Sequence, residues 1–151
     1  MFTLSHAIEI NPQGVEPELS LDDVWRGLVM KAENALPFVN GMSKCEVVDR
    51  GDGWLVRDVV FAGEALQEKI TFHAPIQVHF ERIGGGGFIE NTISTSDRGL
   101  LLAFTFGLNF PDVEPGSDAE REKGEGMRGA YIGAVASTLA RLRKMKTAGE
   151  L

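Results

Sequence analysis

The sequence predicts an α+β fold, in which a curved antiparallel sheet of about seven strands is covered on one face by a long C-terminal helix. Apolar residues recur at every second position from Cys45 to Phe110, as in strands with one buried face. Short turns separate these segments, and such turns join only antiparallel neighbours. After Phe110 the apolar spacing becomes helical. We therefore expect one domain over residues 1–151, with a short helical segment after the first strand.

The N-terminal part of the chain predicts one strand and one helix. Residues Phe2–Ile10 alternate as a strand does, and the segment Asn11–Gly14 breaks the pattern. Ser20 followed by Asp23 matches a capping box, which opens a helix. The helical stripe that follows is Leu21, Val24, Trp25, Leu28, Val29 and Ala32. Asn34 and Pro37 mark the end of this helix.

Six further strands form the predicted sheet. They are Lys44–Val48, Trp54–Phe61, Leu66–His73, Ile76–Ile83, Phe88–Thr95 and Leu100–Phe110. The run Gly84–Gly87 lies between two of them. A phosphate-binding loop normally opens a helix, so we interpret this run as a hairpin turn.

The C-terminal helix is predicted over Ser117–Lys146. Ser117 and Glu120 match a second capping box. The apolar stripe is Met127, Ala130, Tyr131, Ala134, Val135, Thr138, Leu139 and Leu142. Even about 25 helical residues would be about 37 Å long, enough to cross a sheet. Gly126, Gly129 and Gly133 have two interpretations. In the first, the helix begins loosely and tightens only after Met127; in the second, small residues leave space, or a bend, beside the pocket.

Turn positions and apolar faces predict how the strands align. A one-residue slip would move every side chain to the other face, so the alignment is strongly constrained. The predicted pairs are Asp58 with Lys69, Val59 with Glu68, Glu68 with Arg82, Ile70 with Phe80, Arg82 with Ile89, Phe80 with Asn91, Asn91 with Phe104, and Ile93 with Leu102.

One face of this sheet is apolar except for four polar side chains: Arg57, Glu68, Arg82 and Asn91. Charges on an apolar face are normally paired or reach water. A structural ion pair and a ligand-binding role therefore both remain open for this cluster. The residues expected to bind a ligand between sheet and helix are Arg57, Glu68, Phe72, Phe80, Arg82, Asn91, Phe104, Phe106, Tyr131 and Val135.

Composition excludes several classes of partner. The formal net charge of −7 would repel a phosphate backbone, so we expect no nucleic acid. The single cysteine, Cys45, allows no internal disulfide. We expect no membrane span and a cytoplasmic protein, since no apolar run is long enough and the N-terminus is unlike a signal peptide. His6, His73 and His79 lack the spacing of a metal site, and we expect neither a metal nor a cofactor.

The order of elements resembles the helix-grip fold of the START and Bet v 1-like (SRPBCC) superfamily. Five short segments are also similar to the AtaL-like family, which is named after a member of a fungal secondary-metabolite cluster. They are Val24–Leu28 with Lys31–Asn34 and Pro37–Val39, Gly53–Val59, and Glu90–Ser94. The resemblance covers essentially the whole chain and implies a hydrophobic ligand cavity.

Three hypotheses for the function follow. The first is binding of a small, largely apolar or amphipathic molecule with a polar or anionic end, anchored by Arg57 or Arg82. The second is an enzyme of secondary metabolism of the cyclase, dehydratase or hydrolase type, with Glu68 as acid or base. The third is a module that binds a partner, or forms a homodimer, through the outer face of the sheet.

Overall fold

Seven antiparallel strands form one open sheet in the computed structural model, which describes residues 1–151. The elements are β1 (Phe2–Glu9), α1 (Leu21–Glu33), β2 (Met42–Gly51), β3 (Trp54–Phe61), β4 (Glu64–His73), β5 (Gln77–Arg82), β6 (Gly87–Ser94), β7 (Leu101–Leu108) and α2 (Asp118–Thr147). The spatial order is β1-β7-β6-β5-β4-β3-β2, so β1 and β2 form the two edges. The predicted fold class is confirmed.

Both helices pack on the same face of the sheet, which we call the inner face. Helix α2 lies against β1 and β7, and α1 lies against β5 and β6. Leu55, Ile70 and Leu102 are fully buried beneath them. The outer face carries the alternate, more polar residues, as one expects of a sheet with one covered face. Neither helix combines the length and apolarity that crossing a membrane would require.

The two helices begin largely as predicted. Ser20 and Asp23 exchange both hydrogen bonds of a capping box at the start of α1. At α2, Ser117 accepts from the backbone N–H of Glu120, but the Glu120 carboxylate accepts from the backbone N–H of Gly116 and from the N-terminal ammonium group. The second capping box is therefore only half formed.

The β3–β4 register differs from the prediction by two residues. Arg57 lies opposite Glu68 and Asp58 opposite Gln67, whereas the prediction placed Lys69 opposite Asp58. The turn residues are Ala62 and Gly63, both with positive φ (50° and 81°), which is the conformation that suits a two-residue hairpin. A slip of two residues keeps every side chain on its predicted face.

The β5–β6 register also differs by two residues. Arg82 pairs with Gly87, and Phe80 pairs with Ile89 rather than with Asn91. Gly87 is the first residue of β6, and the backbone of β7 approaches it so closely that a side chain would not fit. A Cβ atom there would lie 1.9 Å from the carbonyl oxygen of Gly107. The predicted β4–β5 and β6–β7 registers are confirmed, including Glu68 opposite Arg82 and Asn91 opposite Phe104.

Glycines in the two helices have different roles. Helix α2 is continuous from Asp118, so the interpretation of a loose start near Met127 is wrong. Gly126, Gly129 and Gly133 face open space. Gly27 of α1 instead packs against α2, where an added Cβ atom would lie 2.2 Å from Cδ2 of the buried Leu142. Close contact between the two helices thus depends on Gly27.

We predict that replacement of glycine by alanine has opposite effects on stability at Gly27 of α1 and at Gly129 of α2. Gly27→Ala should destabilise the protein, because overpacking typically costs about 1–3 kcal/mol and exceeds the gain of about 1 kcal/mol in helix propensity. Gly129→Ala is the matched control and should stabilise by up to about 1 kcal/mol. Urea unfolding of both variants measures the difference. Equal stabilisation by both would contradict the close packing of α1 on α2.

Candidate functional site

A cavity of about 460 Å³ lies between the inner face of the sheet and the two helices. Side chains from β3 to β7 form its floor, and Met127, Ala130 and Tyr131 of α2 contribute to its roof. Exposed residues of the lining, among them Asn40 and Gly133, lie where the cavity reaches the surface. The open space beside Gly133 therefore lies at the cavity, as the second interpretation expects, whereas Gly126 and Gly129 are exposed and do not line it.

Most of the sequence-predicted site residues line this cavity. The eight that do are Arg57, Glu68, Phe80, Arg82, Asn91, Phe104, Phe106 and Tyr131. Phe72 does not, since it packs edge-on against Trp25 of α1, with the ring centroids 6.4 Å apart. Val135 is also outside the lining, because it is fully buried in the hydrophobic core. That the eight lining residues contact a ligand remains a prediction.

Aromatic rings form one wall of the cavity. Phe106 stacks on Tyr131 with the centroids 4.5 Å apart, and Phe104 meets Phe106 edge-on at 6.4 Å. Burial raises the pKa of the Tyr131 phenol, which keeps the phenol neutral. This wall offers a large apolar surface that suits a flat or ring-shaped molecule.

Arg57 holds the polar end of the cavity together. Its Nε and Nη2 atoms both donate to Oε1 of Glu68, at 3.0 and 2.9 Å. Its Nη1 atom donates to the backbone carbonyls of Lys31 and Ala32, at 3.0 and 2.9 Å. These carbonyls lie in the last turn of α1, where the helix leaves acceptors free and carries partial negative charge. The guanidinium group therefore joins β3, β4 and α1, and most of its donors are already used.

Arg82 has a different environment from Arg57. It lies directly opposite Glu68 in the strand ladder, yet the Glu68 carboxylate pairs with Arg57. The Nε atom of Arg82 is buried and has no hydrogen-bond partner. The three predicted charges do meet at one place, with one arginine neutralised and the other left without a carboxylate. An unpaired buried donor beside a cavity is a natural anchor for a ligand acceptor.

Lys31 is the main site residue that sequence reasoning missed. It lies on α1 and is only 8% exposed, and its Nζ atom donates to Oδ1 of Asn91 at 3.0 Å. The rings of Phe80 and Phe104 flank it, with their centroids 5.0 and 5.1 Å from Nζ. The signal was present in the sequence, since Lys31 follows Val24 by seven residues and therefore falls on the buried stripe of the helix.

Burial lowers the pKa of the Lys31 ammonium group to about 7, and the neighbouring Arg57 guanidinium contributes to the shift. The Glu68 carboxylate acts in the opposite direction and favours the charged form. At neutral pH both the ammonium and the free amine are therefore populated. A lysine with this property inside a cavity is a typical sign of a functional site.

We predict that Arg57→Met destabilises the fold strongly. The variant leaves the buried Glu68 carboxylate and two helix carbonyls without their partner, a loss that costs about 3–5 kcal/mol in comparable buried pairs. Arg50 is the matched control, because its ion pair with Glu33 lies on the surface and Arg50→Met should change little. Urea unfolding checks both. The double variant Arg57→Met/Glu68→Leu should regain part of the lost free energy of unfolding, because it also removes the unpaired carboxylate. If the double variant is no more stable than Arg57→Met, the unpaired carboxylate is not the main cause of the loss.

We predict that the stability contribution of Lys31 depends on pH. Because its folded-state pKa of about 7 lies below the usual 10.5, the unfolded chain binds the additional proton between these values. The stability of the wild type relative to Lys31→Met should therefore rise with pH from 7 towards 10, by up to about 1.4 kcal/mol per pH unit, and stay level below pH 7. Urea unfolding at several pH values measures this difference. A difference that does not change with pH for Lys31→Met would contradict the lowered pKa, and Lys69→Met provides the comparison at an exposed lysine.

Solved structures share this fold at low sequence identity. The di-domain aromatase/cyclase StfQ from the steffimycin biosynthetic pathway matches with a TM-score of 0.67 and 10% identity, over 97% of this chain and 51% of StfQ. This chain thus spans about half the length of StfQ. The Zhui aromatase/cyclase from Streptomyces sp. R1128 matches with a TM-score of 0.64 and 18% identity, over 99% of both chains. Both likenesses establish the helix-grip fold.

Sequence comparison identifies the family. Acetylaranotin biosynthesis cluster protein L of Aspergillus terreus is 23% identical over 152 aligned positions, which cover 99% of this chain and 93% of that protein. The profile of the family described as "AtaL: Acetylaranotin biosynthesis cluster protein L" matches residues 4–149. Because that match extends over nearly the whole chain, this protein belongs to the AtaL family.

Proposed function

We propose that this protein binds a small, largely apolar molecule with an anionic or polar end in the cavity between the sheet and α2. The observation that carries the proposal is an apolar cavity with an unneutralised arginine in its wall. The volume of about 460 Å³ lies within the range of about 300–1,000 Å³ that is usual for small-molecule sites. The relationship to a protein from a biosynthesis cluster supports a natural product or its precursor as the ligand.

The charges at the polar end favour an acidic ligand. Lys31, Arg57 and Arg82 line the cavity together with a single carboxylate, that of Glu68. A surplus of positive charge beside apolar walls costs energy unless water or an anion compensates it. Arg57 is committed to Glu68 and to the α1 carbonyls, so Arg82 is the better anchor of the two predicted arginines. Its planar guanidinium group suits a carboxylate or an enolate oxygen.

A second candidate function is catalysis on such a molecule, of the cyclase, dehydratase or hydrolase type. The observation that favours it is the buried Lys31 amine, which exchanges its proton near neutral pH within the cavity. The fold shared with two aromatase/cyclases supports this candidate. Glu68 suits acid–base work less well, since the Arg57 guanidinium group holds its carboxylate through two hydrogen bonds. A carrier returns its ligand unchanged after incubation, whereas an enzyme does not.

We predict that Arg82→Met weakens binding of an acidic probe selectively. Naphthoate and naphthylmethanol share an aromatic body and differ in charge. A charged hydrogen bond contributes about 1.5–3 kcal/mol, so naphthoate should lose about 10- to 100-fold in affinity, while naphthylmethanol should change by less than about threefold. Isothermal titration calorimetry measures both affinities.

Arg98→Met provides the matched control, because Arg98 lies in an exposed turn and pairs with Glu9. It should leave both affinities unchanged. Equal losses for the two probes in Arg82→Met would mean that Arg82 has a structural role. Failure of wild-type protein to bind either probe would count against a binding function for the cavity.

A further inference from the structure

We propose that Lys31 is a site of reversible imine formation, at which its amine condenses with the aldehyde or ketone group of a ligand in the cavity. The inference rests on the proposed function, because the carbonyl compound must first enter the same cavity. It deepens that function by naming the reactive group that the ligand would carry. Three features of the structure support it: the position of the amine, a free donor beside it, and the surroundings of the product.

The amine of Lys31 is placed as a nucleophile. Its side chain lines the cavity but is only 8% exposed, so water reaches it poorly. Its one hydrogen bond goes to Oδ1 of Asn91 at 3.0 Å. An uncharged amine that donates one hydrogen to this oxygen keeps its lone pair free for attack. Desolvated lysines of this kind are those that form imines with carbonyl substrates in enzymes.

Asn91 supplies a donor for the carbonyl oxygen. Its side chain is 1% exposed and lines the cavity. Because Oδ1 accepts from Lys31, the Nδ2 group of Asn91 is the free end, and it is buried without any hydrogen-bond partner. An unpaired N–H group in a buried site is costly unless something uses it. A carbonyl oxygen that receives this hydrogen bond becomes more electrophilic at carbon, and the same contact stabilises the negative charge that develops on oxygen during attack.

The surroundings of Lys31 also suit the product. The protonated imine is a cation at the position of the original ammonium group. The rings of Phe80 and Phe104 lie on either side, 5.0 and 5.1 Å from Nζ, and ring faces attract cations. The Glu68 carboxylate adds a favourable charge from the sheet. These contacts offset part of the cost that burial and the Arg57 guanidinium group impose on a cation at this position.

Imine formation at Lys31 needs neither an oxidant nor a reductant. The lone pair of Nζ forms the C–N bond while the carbonyl π electrons move to oxygen. Nitrogen then loses a proton, oxygen gains one, and a second proton allows the C–O bond to break with loss of water. The nitrogen lone pair forms the C=N bond. Hydrolysis by the reverse path releases the carbonyl compound and restores the amine.

Reductive trapping tests this inference on the full-length wild-type chain. The protein is incubated with naphthaldehyde in an amine-free buffer at neutral pH, and sodium cyanoborohydride then reduces any imine to a stable secondary amine. We expect one adduct with the mass of naphthaldehyde less one oxygen atom. Peptide mapping should locate it on Lys31, labelled at least about tenfold faster than the exposed Lys69, because the cavity holds the aldehyde beside the Lys31 amine.

Two variants and an unreactive analogue of the aldehyde serve as controls for this experiment. Lys31→Met should lose the adduct, and the exposed control Lys69→Met should keep it. Methylnaphthalene binding, followed by fluorescence, reports on the cavity without any chemistry. Labelling of exposed lysines with Lys31 unmodified, in protein that binds methylnaphthalene, would overturn the imine inference and leave the binding function standing. If neither methylnaphthalene nor naphthaldehyde binds, the proposed function itself fails. Because the mapping is done on wild-type protein, the result does not depend on whether Lys31→Met folds.

Discussion

The buried guanidinium group of Arg57 is the constraint on which the rest of the inner face depends. A charge in an apolar interior is tolerated only when it is paired and its donors are satisfied. Arg57 meets this requirement with a carboxylate from β4 and with two carbonyls from the last turn of α1. Both strands and the helix must therefore keep their relative positions. The helix held in this way carries Lys31, so the same contacts place the amine in the cavity.

The polar end of the cavity contains buried groups that reduce the stability of the fold. A cavity lined only by apolar side chains would cost less free energy to bury than one with Lys31, Arg82 and Asn91 at its end. The Nε atom of Arg82 and the Nδ2 atom of Asn91 remain without partners, and Lys31 has a lowered pKa. Groups of this kind cluster at functional sites, where a ligand completes their interactions. The aromatic wall of Phe104, Phe106 and Tyr131 supplies the complementary apolar surface.

Face assignments from the sequence were more robust than strand registers. Two of the four predicted registers were displaced by two residues, yet no inward side chain moved outward, since the side-chain period of a strand is two. The displacements had local causes that residue types alone do not reveal. Ala62 adopts a positive φ that is uncommon for a non-glycine residue, and β6 begins at Gly87, which pairs with Arg82. Eight of the ten expected site residues therefore reached the cavity, although Phe72 and Val135 did not.

The sequence by itself determined the antiparallel sheet, its inner face and the helix that covers it. The apolar residues recur with the period of a strand in the sheet and with the period of a helix near the C-terminus, and each period depends only on the geometry of a single element. The same patterns gathered Arg57, Glu68, Arg82 and Asn91 on one face. Only the tertiary structure decided that Glu68 pairs with Arg57 and leaves Arg82 free. It also decided that Lys31, from a different element, meets Asn91 sixty residues later in the chain. The physical reason is that a hydrogen bond is made or lost within a fraction of an ångström. Periodicity states which way a side chain faces, but the distance to its partner depends on how whole elements pack.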